Sequence, residues 1–170
     1  MITKNIVVLP YDVEWQKDFE VIKNELWTVL KDVAIKIEHV GSTSIEGCFA
    51  KPIIDIDVVI DNYSMLDSVI LKLKQIGYYH EGNFGIYGRE AFCYKGKRHF
   101  RKHHLYVCPK DSNELKRHIG LRDYLRNNPR EVVEYSNIKK EGAIAYPNDI
   151  DKYIQHKSYF IEKIYKRLGI

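Results

Sequence analysis

Two aspartates interrupt one of the most apolar stretches of the chain, which reads PIIDIDVVI over residues 52–60. Because side chains alternate along an extended strand, Asp55 and Asp57 lie side by side on one face, with their bases about 7 Å apart. Two unpaired carboxylates beside apolar residues are costly, and each raises the pKa of the other. A divalent cation removes that cost, and paired oxygen ligands suit Mg²⁺ or Mn²⁺ shared with substrate phosphates. The opposite face is wholly aliphatic and comprises Ile54, Ile56, Val58 and Ile60.

The aspartate pair by itself fits a second interpretation, in which the carboxylates lie on an exposed sheet surface or pair with lysine and arginine side chains from a helix. The preceding stretch HVGSTS, residues 39–44, favours the metal site. Gly41 lets the backbone approach a ligand closely, and the hydroxyl and N–H groups of the next three residues suit phosphate oxygens. We therefore expect this loop and the two carboxylates to face one site.

Apolar periodicity and capping residues predict five α-helices. Asp12 is placed to cap the first, and Asn148 or Asp149 the last. Asp111 and Glu114 have the spacing of a capping box at the start of the third. The predicted helices span residues 13–31, 65–76, 111–126, 129–145 and 148–168.

The predicted strands occupy the first two-thirds of the chain, and residues 52–60 give the strongest signal. Lys95-Gly96-Lys97 reads as the hairpin connection between the last two strands. The six strands span residues 34–40, 52–60, 78–81, 84–87, 91–94 and 104–107. We predict one α/β (α+β) domain over residues 1–170, with a mixed β-sheet flanked by helices and a helical C-terminal segment.

The composition is that of a soluble globular protein, with 170 residues, 45% hydrophobic and 29% charged. Its three cysteines form no CxxC pair, which favours a reducing compartment and argues against a cysteine-based zinc site. The sequence shows neither a signal peptide nor a membrane span, so we expect a cytoplasmic protein without a membrane partner. The net charge of +4 favours anionic ligands but is too small to indicate nucleic-acid binding.

A GS loop, a spacer and an acid–hydrophobic–acid strand together resemble the signature of nucleotidyltransferase-fold proteins. Within that superfamily the chain more closely resembles the GrpB-like family. The matching segments extend over nearly the whole chain: YDVEWQKDFEVIK at 11–23, HVGSTSIEGCFAKPIIDIDVVI at 39–60, GLRDYLRNNP at 120–129 and Tyr153-x-x-x-Lys157. Some domains of this kind are attached to dephospho-coenzyme A kinase. This sequence contains no GxxxxGK[ST] loop, so we expect no such kinase activity.

The resemblance implies that Asp55 and Asp57 are the catalytic metal ligands, for Mg²⁺ or Mn²⁺, and that Gly41 and Ser42 cradle a triphosphate beside Thr43. In such enzymes the metals orient the α-phosphate of a nucleoside triphosphate while pyrophosphate leaves. The third acid of the superfamily is missing, because the strand expected to carry it reads HHLYVCP at 103–109.

His104 has a suitable place for the third metal ligand on that strand, whereas Glu81 and Glu90 lie outside it. A neutral histidine ligates Mn²⁺ or Zn²⁺ but is a poor ligand for Mg²⁺. The departure from the superfamily pattern bears directly on whether the site is catalytic.

Five basic residues are candidates for substrate binding through phosphate contacts. Each also fits a surface or structural role: Lys51, Arg89, His104, Arg122 and Lys157. A second group fits an exposed hairpin or contacts between helices better: Arg98, His99, Arg101, Asp123 and Arg126.

We therefore predict a metal-dependent nucleotidyltransferase that moves a nucleotidyl group from a nucleoside triphosphate to a small molecule or a protein. The alternative is a non-catalytic module of the same fold that binds a nucleotide, a coenzyme A-type phosphate or a partner protein. The missing third acid favours the module, and the strand acids with the GS loop favour the enzyme. Template-dependent nucleic-acid synthesis is excluded, because the chain lacks a long basic stripe and an added nucleic-acid module.

Overall fold

The computed structural model describes residues 5–170, in which a mixed five-stranded sheet packs against five α-helices. In the order β1-β2-β5-β4-β3, β2 and β5 are parallel and every other neighbouring pair is antiparallel. The strands are β1 (Lys36–Val40), β2 (Ile54–Ile60), β3 (Tyr78–Gly82), β4 (Glu90–Tyr94) and β5 (His103–Pro109). The helices are α1 (Glu14–Leu30), α2 (Leu66–Gln75), α3 (Asn113–Arg126), α4 (Pro129–Ala145) and α5 (Ile150–Leu168), with short 3₁₀ turns at Ser42–Ser44 and Tyr63–Met65.

The aliphatic face of β2 lies in the main hydrophobic core, as its alternation predicts. Ile54, Ile56 and Val58 are fully buried there against side chains of α1 and α2. Burying one such side chain contributes about 1.5–3 kcal/mol. If the pairing register of β2 shifted by one residue, the aspartates would point into this core. Packing of the aliphatic face therefore fixes the register that places the aspartates on the other face.

A second apolar cluster joins the segment after the GS loop to α3, α4 and α5. It contains Ile45 and Cys48 from that segment and Tyr135 and Phe160 from the helices. The rings of Tyr135 and Phe160 stack with their centroids 4.9 Å apart. This packing holds the C-terminal helices beside the loop that leads into β2.

The predicted helices agree with the observed ones to within two residues at each end. Asp12 accepts a hydrogen bond from the Glu14 N–H (2.9 Å), and Asp149 caps α5 by accepting one from the Lys152 N–H (3.0 Å). The predicted cap of α3 was wrong, because Ser112 rather than Asp111 accepts a bond from the first turn. Within residues 5–170 no helix is long and apolar enough to cross a membrane.

The predicted strand at residues 84–87 was also wrong, because this segment is a loop between β3 and β4. Phe84 has φ +51°, and glycines on both sides of it have positive φ as well. An extended strand requires negative φ. Glycine-rich backbone thus overrides the strand propensity of the aromatic residues, and the segment is the loop that connects the antiparallel strands β3 and β4.

Candidate active site

The two aspartates of β2 each pair with a histidine. Asp57 is fully buried, with its Oδ2 2.6 Å from Nδ1 of His118 on α3. Asp55 is partly exposed, with its Oδ1 2.9 Å from Nδ1 of His104 on β5. Among residues 5–170, no lysine or arginine forms a salt bridge with either carboxylate. The register places His104 opposite Asp55, in the position expected for the third acid, and Tyr106 opposite Asp57.

In the pair of Asp57 and His118, burial and hydrogen bonding have opposite effects on the pKa of each side chain. Burial raises the pKa of Asp57, while the hydrogen bond and the charge of His118 oppose that shift. Burial by itself lowers the pKa of His118, but the hydrogen bond and charge of Asp57 outweigh it and raise the pKa. Asp57 Oδ1 is buried and has no hydrogen-bond partner within the described part of the chain. Such an orphaned acceptor costs about 1–3 kcal/mol unless a ligand satisfies it.

The carboxylates fit a cation that is bound together with its substrate. No group of three or more histidine, cysteine, aspartate or glutamate side chains in residues 5–170 is arranged to hold a metal ion. Mg²⁺, however, is usually held by one or two carboxylates plus substrate phosphates rather than by a protein cage. Two adjacent carboxylates, one with an orphaned oxygen, match that mode of binding.

Gly41 allows the GS loop to lie against Asp55. It has φ +72°, and a Cβ atom built on it would overlap the Asp55 carboxylate. The Gly41 carbonyl accepts bonds from the N–H (3.1 Å) and the Oγ (2.5 Å) of Ser44. Arg126 then donates two bonds to the Ser44 carbonyl, at 3.0 and 2.7 Å, which gives Arg126 the structural role predicted for it.

We expect Gly41→Ala to destabilise the protein by more than the backbone strain alone and to weaken nucleotide binding. Backbone with φ +72° and ψ −177° is almost restricted to glycine and costs other residues about 1–3 kcal/mol, and the new Cβ would in addition displace the Asp55 carboxylate. Gly96→Ala is the matched control, since Gly96 has φ +71° and nothing within 4 Å of the added atom. Chemical denaturation and nucleotide-induced thermal shifts measure the two variants, and equal losses in both would contradict a close loop–carboxylate contact.

A cavity of about 410 Å³ opens in front of Asp55, between the GS loop, β5 and α5, and its lining includes neither Gly41 nor the fully buried Asp57. It brings together most of the predicted residues, namely Ser42, Thr43, Lys51, Asp55, Arg89, His104 and Lys157. Thr43 is buried, with its Oγ1 2.9 Å from Nε2 of His39. A larger groove of about 540 Å³ lies between α1 and β1, but it contains none of the predicted residues.

Lys139 of α4 also lines this cavity, and the sequence analysis missed it. Its side chain is only 1% exposed, and its Nζ lies 2.8 Å from Ser42 Oγ and 4.1 Å from the centroid of the Tyr135 ring. Burial lowers its pKa to about 8. The available signal was its place on the buried stripe of α4, which contains Val132, Tyr135, Ser136, Lys139 and Gly142.

Two further lysines flank Tyr153 at the same end of the cavity. The Nζ atoms of Lys51 and Lys157 lie 5.8 and 5.5 Å from the centroid of the Tyr153 ring. Burial, and then the charge of Lys157, lowers the pKa of Lys51. In residues 5–170 no carboxylate forms a salt bridge with Lys51, Lys139 or Lys157. The cavity therefore holds a cluster of lysines without a direct salt-bridge partner in the described residues, and Asp55 in the same cavity is the acid whose charge acts on Lys51.

The predicted site residue Arg122 lies outside the cavity. Its guanidinium bonds to Glu38 (2.8 Å), to Asp123 (2.8 Å) and to the carbonyl of His39 (3.0 Å). These contacts join α3 to β1, because the edge strand offers a carboxylate and a free carbonyl at that point. The contacts of Arg122 are structural and it does not line the cavity, so its assignment to substrate binding stays a prediction, while Asp123 has the structural role predicted for it.

We expect Arg122→Met to destabilise the protein by about 2–3 kcal/mol, because it leaves the carbonyl of His39 and the carboxylate of Glu38 without their donor. Arg130→Met, on the exposed surface of α4, is the control and should change stability little. Urea denaturation measures both variants. Loss of nucleotide binding at unchanged stability would return Arg122 to the site.

The other sequence candidates are structural or exposed. Arg101 pairs with Asp18, while Arg98 and His99 are exposed. Glu90 is buried with its Oε2 2.7 Å from Nε2 of His80, which removes it as a metal ligand. His118, like Lys139, was missed, because its partner lies 61 residues away in the sequence.

A family model described as GrpB protein matches residues 5–167. The chain belongs to the GrpB family. It is 33% identical over 159 residues to UPF0157 protein YqkA of Bacillus subtilis, an alignment that covers 94% of this chain and 46% of YqkA. The GrpB chain thus spans about half the length of that curated relative.

Two solved structures agree with the fold of this GrpB chain. The crystal structure of conserved protein GrpB from Enterococcus faecalis matches with a TM-score of 0.83 and 38% identity, over 95% of this chain and 96% of that one. The Cid1 poly(U) polymerase with MgGTP bound matches with a TM-score of 0.55 and 10% identity, over 78% of this chain and 42% of that one. At that identity the likeness shows the fold alone, which is the nucleotidyltransferase fold.

Proposed function

We propose that this GrpB protein is a metal-dependent nucleotidyltransferase. It transfers the nucleotidyl group of a nucleoside triphosphate to a small-molecule or protein acceptor. One observation carries the proposal: a single cavity contains Asp55, three lysines and Ser42, and one of those lysines, Lys139, contacts the Ser42 hydroxyl.

The charges of the cavity suit a polyphosphate. A nucleoside triphosphate carries several negative charges, and Lys51, Lys139 and Lys157 supply positive charge that has no salt-bridge partner in residues 5–170. Ser42 adds a hydroxyl donor at the point where Lys139 approaches. Charge-assisted hydrogen bonds to phosphate are about twice as strong as neutral ones, so the lysine end of the cavity binds the β- and γ-phosphates.

The α-phosphate then lies toward the aspartates. Asp55 and Asp57 would hold the divalent ion, which when bound would supply Lewis-acid stabilisation of charge on the α-phosphate. Arg89, whose guanidinium carbon lies 4.5 Å from the centroid of the Tyr106 ring, contributes a further positive charge on the β5 side. Ile154 and Ile161 of α5 form an apolar wall for the nucleoside.

The chemical step is an in-line displacement at phosphorus. An acceptor oxygen forms a bond to the α-phosphorus as the bond from that phosphorus to the bridging oxygen of the β-phosphate breaks. The electron pair of the broken bond remains with pyrophosphate, which leaves toward the lysines, and the acceptor hydroxyl releases its proton to water. Lys139 and Ser42 bind the leaving group and so stabilise the charge that develops on it.

A thermal-shift panel tests this proposal directly. The four common nucleoside triphosphates and coenzyme A precursors are compared with and without Mg²⁺ or Mn²⁺. A ligand at 100 times its Kd adds about 2.7 kcal/mol to stability, which such an assay detects. A shift that requires both metal and triphosphate supports the transferase. Absence of any metal-linked shift would contradict it.

One observation favours the second candidate, a non-catalytic module that binds a phosphate-containing ligand. The β5 positions opposite the aspartates hold His104 and Tyr106 instead of an acid. A module of this kind would give a thermal shift with nucleotide in the absence of metal and would release no pyrophosphate.

A further inference from the structure

We propose that Ser42 and Lys139 form a nucleophile–base pair that accepts acyl groups, which gives this chain a metal-independent acyl-transfer activity. Its substrates are small esters or thioesters that carry a negatively charged group. This activity goes beyond nucleotidyl transfer and does not depend on it, because it uses neither the aspartates of β2 nor a metal ion.

Ser42 and Ser158 both line the cavity, but their hydroxyls have different partners. Ser158 Oγ donates to the Ile154 carbonyl of its own helix (2.7 Å). Ser42 Oγ instead lies 2.8 Å from an amine nitrogen, the Nζ of Lys139. A serine becomes a nucleophile when an adjacent base takes its proton, and lysine serves as that base in some enzymes. The contact with Lys139 therefore distinguishes Ser42 as the reactive hydroxyl.

Lys139 has the surroundings of a lysine that gives up its proton easily. It is 1% exposed, its Nζ lies 3.1 Å from Cys48 Sγ, and it forms no salt bridge within residues 5–170. Burial is the main cause that lowers its pKa to about 8, and the charge of Lys157 lowers it further. A base is most effective when its pKa is close to the working pH. About half of the Lys139 side chains are thus neutral at pH 8 and able to accept the Ser42 proton.

The accessibility and charge of the cavity select the substrate. Ser42 is half-buried whereas Lys139 is almost fully buried, so the hydroxyl is the more accessible of the two groups. Among the described residues, the lysine, arginine and carboxylate side chains that line the cavity are Lys51, Arg89, Lys139, Lys157 and Asp55. This excess of positive charge favours a substrate with a carboxylate or phosphate, and it stabilises the negative charge that develops on the carbonyl oxygen.

The reaction proceeds in two steps. Neutral Lys139 accepts the Ser42 proton as Ser42 Oγ forms a bond to the acyl carbon. The bond from that carbon to the ester oxygen or thioester sulfur breaks, and the leaving group keeps the electron pair and takes the proton from Lys139. Water then attacks the acyl-serine and passes its proton through Lys139 to Ser42 Oγ, which releases a carboxylic acid and restores the pair.

Hydrolysis of 4-nitrophenyl acetate in the presence of EDTA tests the pair without nucleotide or metal. We expect Ser42→Ala and Lys139→Met each to lower kcat/KM by about 10²-fold or more. Ser158→Ala is the matched control, because it removes a hydroxyl from the same cavity that has no lysine partner in the described residues. Mass spectrometry of acid-quenched protein should locate the acetyl group on Ser42 in the wild type and in Ser158→Ala.

The rate, after subtraction of the reaction in buffer, should rise with pH and level off above about pH 8, because Lys139 must lose its proton to act as the base. Lys139→Met should lose this rise. Burial raises the pKa of both neighbouring tyrosines, so they stay neutral in this range. The ionisable groups around Lys139 are Cys48, Asp55, Tyr135, Tyr153 and Lys157.

The preference for a charged substrate is tested with 3-carboxy-4-nitrophenyl acetate, which adds one carboxylate to the same ester. The wild type should use this ester about tenfold more efficiently than the uncharged one, and Lys157→Met should reduce that preference. Equal rates in Ser42→Ala and Ser158→Ala, or an acetyl group on Lys139 in place of Ser42, would overturn the nucleophile–base pair. Neither result bears on the transferase, which the metal-linked thermal shift decides separately.

Discussion

Lys139→Met is expected to make the protein more stable at neutral pH while it weakens nucleotide binding. Lys139 is 1% exposed, and its ammonium group contacts Ser42 Oγ (2.8 Å) and Cys48 Sγ (3.1 Å) but forms no salt bridge with a carboxylate in residues 5–170. Burial lowers its pKa to about 8 from 10.5, which corresponds to a cost of about 3 kcal/mol when the group is charged. Methionine has a similar length and carries no charge, so the variant avoids that cost.

The pH dependence of this difference follows from the direction of the shift. Between pH 8 and pH 10.5 the unfolded chain keeps the Lys139 proton while the folded chain loses it, so wild-type stability rises with pH. The gain from Lys139→Met should therefore be largest at and below pH 7 and should shrink as the pH approaches 10.5. Urea denaturation at several pH values measures it, and a destabilised variant at pH 7 would contradict the cost assigned to this buried charge.

The same variant should bind nucleoside triphosphates about 10- to 100-fold more weakly, since it loses a charge-assisted contact beside Ser42. Lys140→Met is the matched control. Lys140 is the next residue on α4 and lies 4.1 Å from the centroid of the Phe49 ring, outside the cavity. Isothermal titration with the metal–nucleotide complex distinguishes the variants, and equal affinities would show that Lys139 does not contribute to nucleotide binding.

Asp57→Asn is expected to abolish the metal-linked thermal shift and to lower any transfer rate by about 10³-fold. The amide keeps the shape of the side chain and can still accept a hydrogen bond from His118, so the fold should persist. A neutral amide cannot balance a divalent cation as a carboxylate does.

Asp61→Asn provides the control for this variant. Asp61 follows β2 with the same alternation, but it is exposed and pairs with Lys110. Binding of Mn²⁺ with nucleotide, followed by electron paramagnetic resonance, and release of pyrophosphate measure both variants. A higher melting temperature with unchanged Mn²⁺ binding in Asp57→Asn would mean that the aspartates of β2 are not a metal site.

Some residues of the candidate site could be identified from the local sequence, and others only from the tertiary structure. Asp55, Asp57, Gly41 and Ser42 could be found in the sequence, because strand alternation and a glycine–hydroxyl loop are local properties of a few residues. The sequence also predicted the aliphatic face of β2 and its place in the core, since a period of two allows only one face to be buried. It failed at residues 84–87, where glycine conformations outweigh aromatic strand propensity.

The partners of these groups were decided by the tertiary structure alone. His118 reaches Asp57 across 61 residues, Lys139 reaches Ser42 across 97, and Arg122 reaches Glu38 across 84. Each of these three is a basic residue in the middle of a helix. The neighbouring sequence does not show whether such a residue lies in the cavity or joins a helix to the sheet. The packing of α3 and α4 against the sheet makes that distinction, because it sets which side chains lose water and which charges they face.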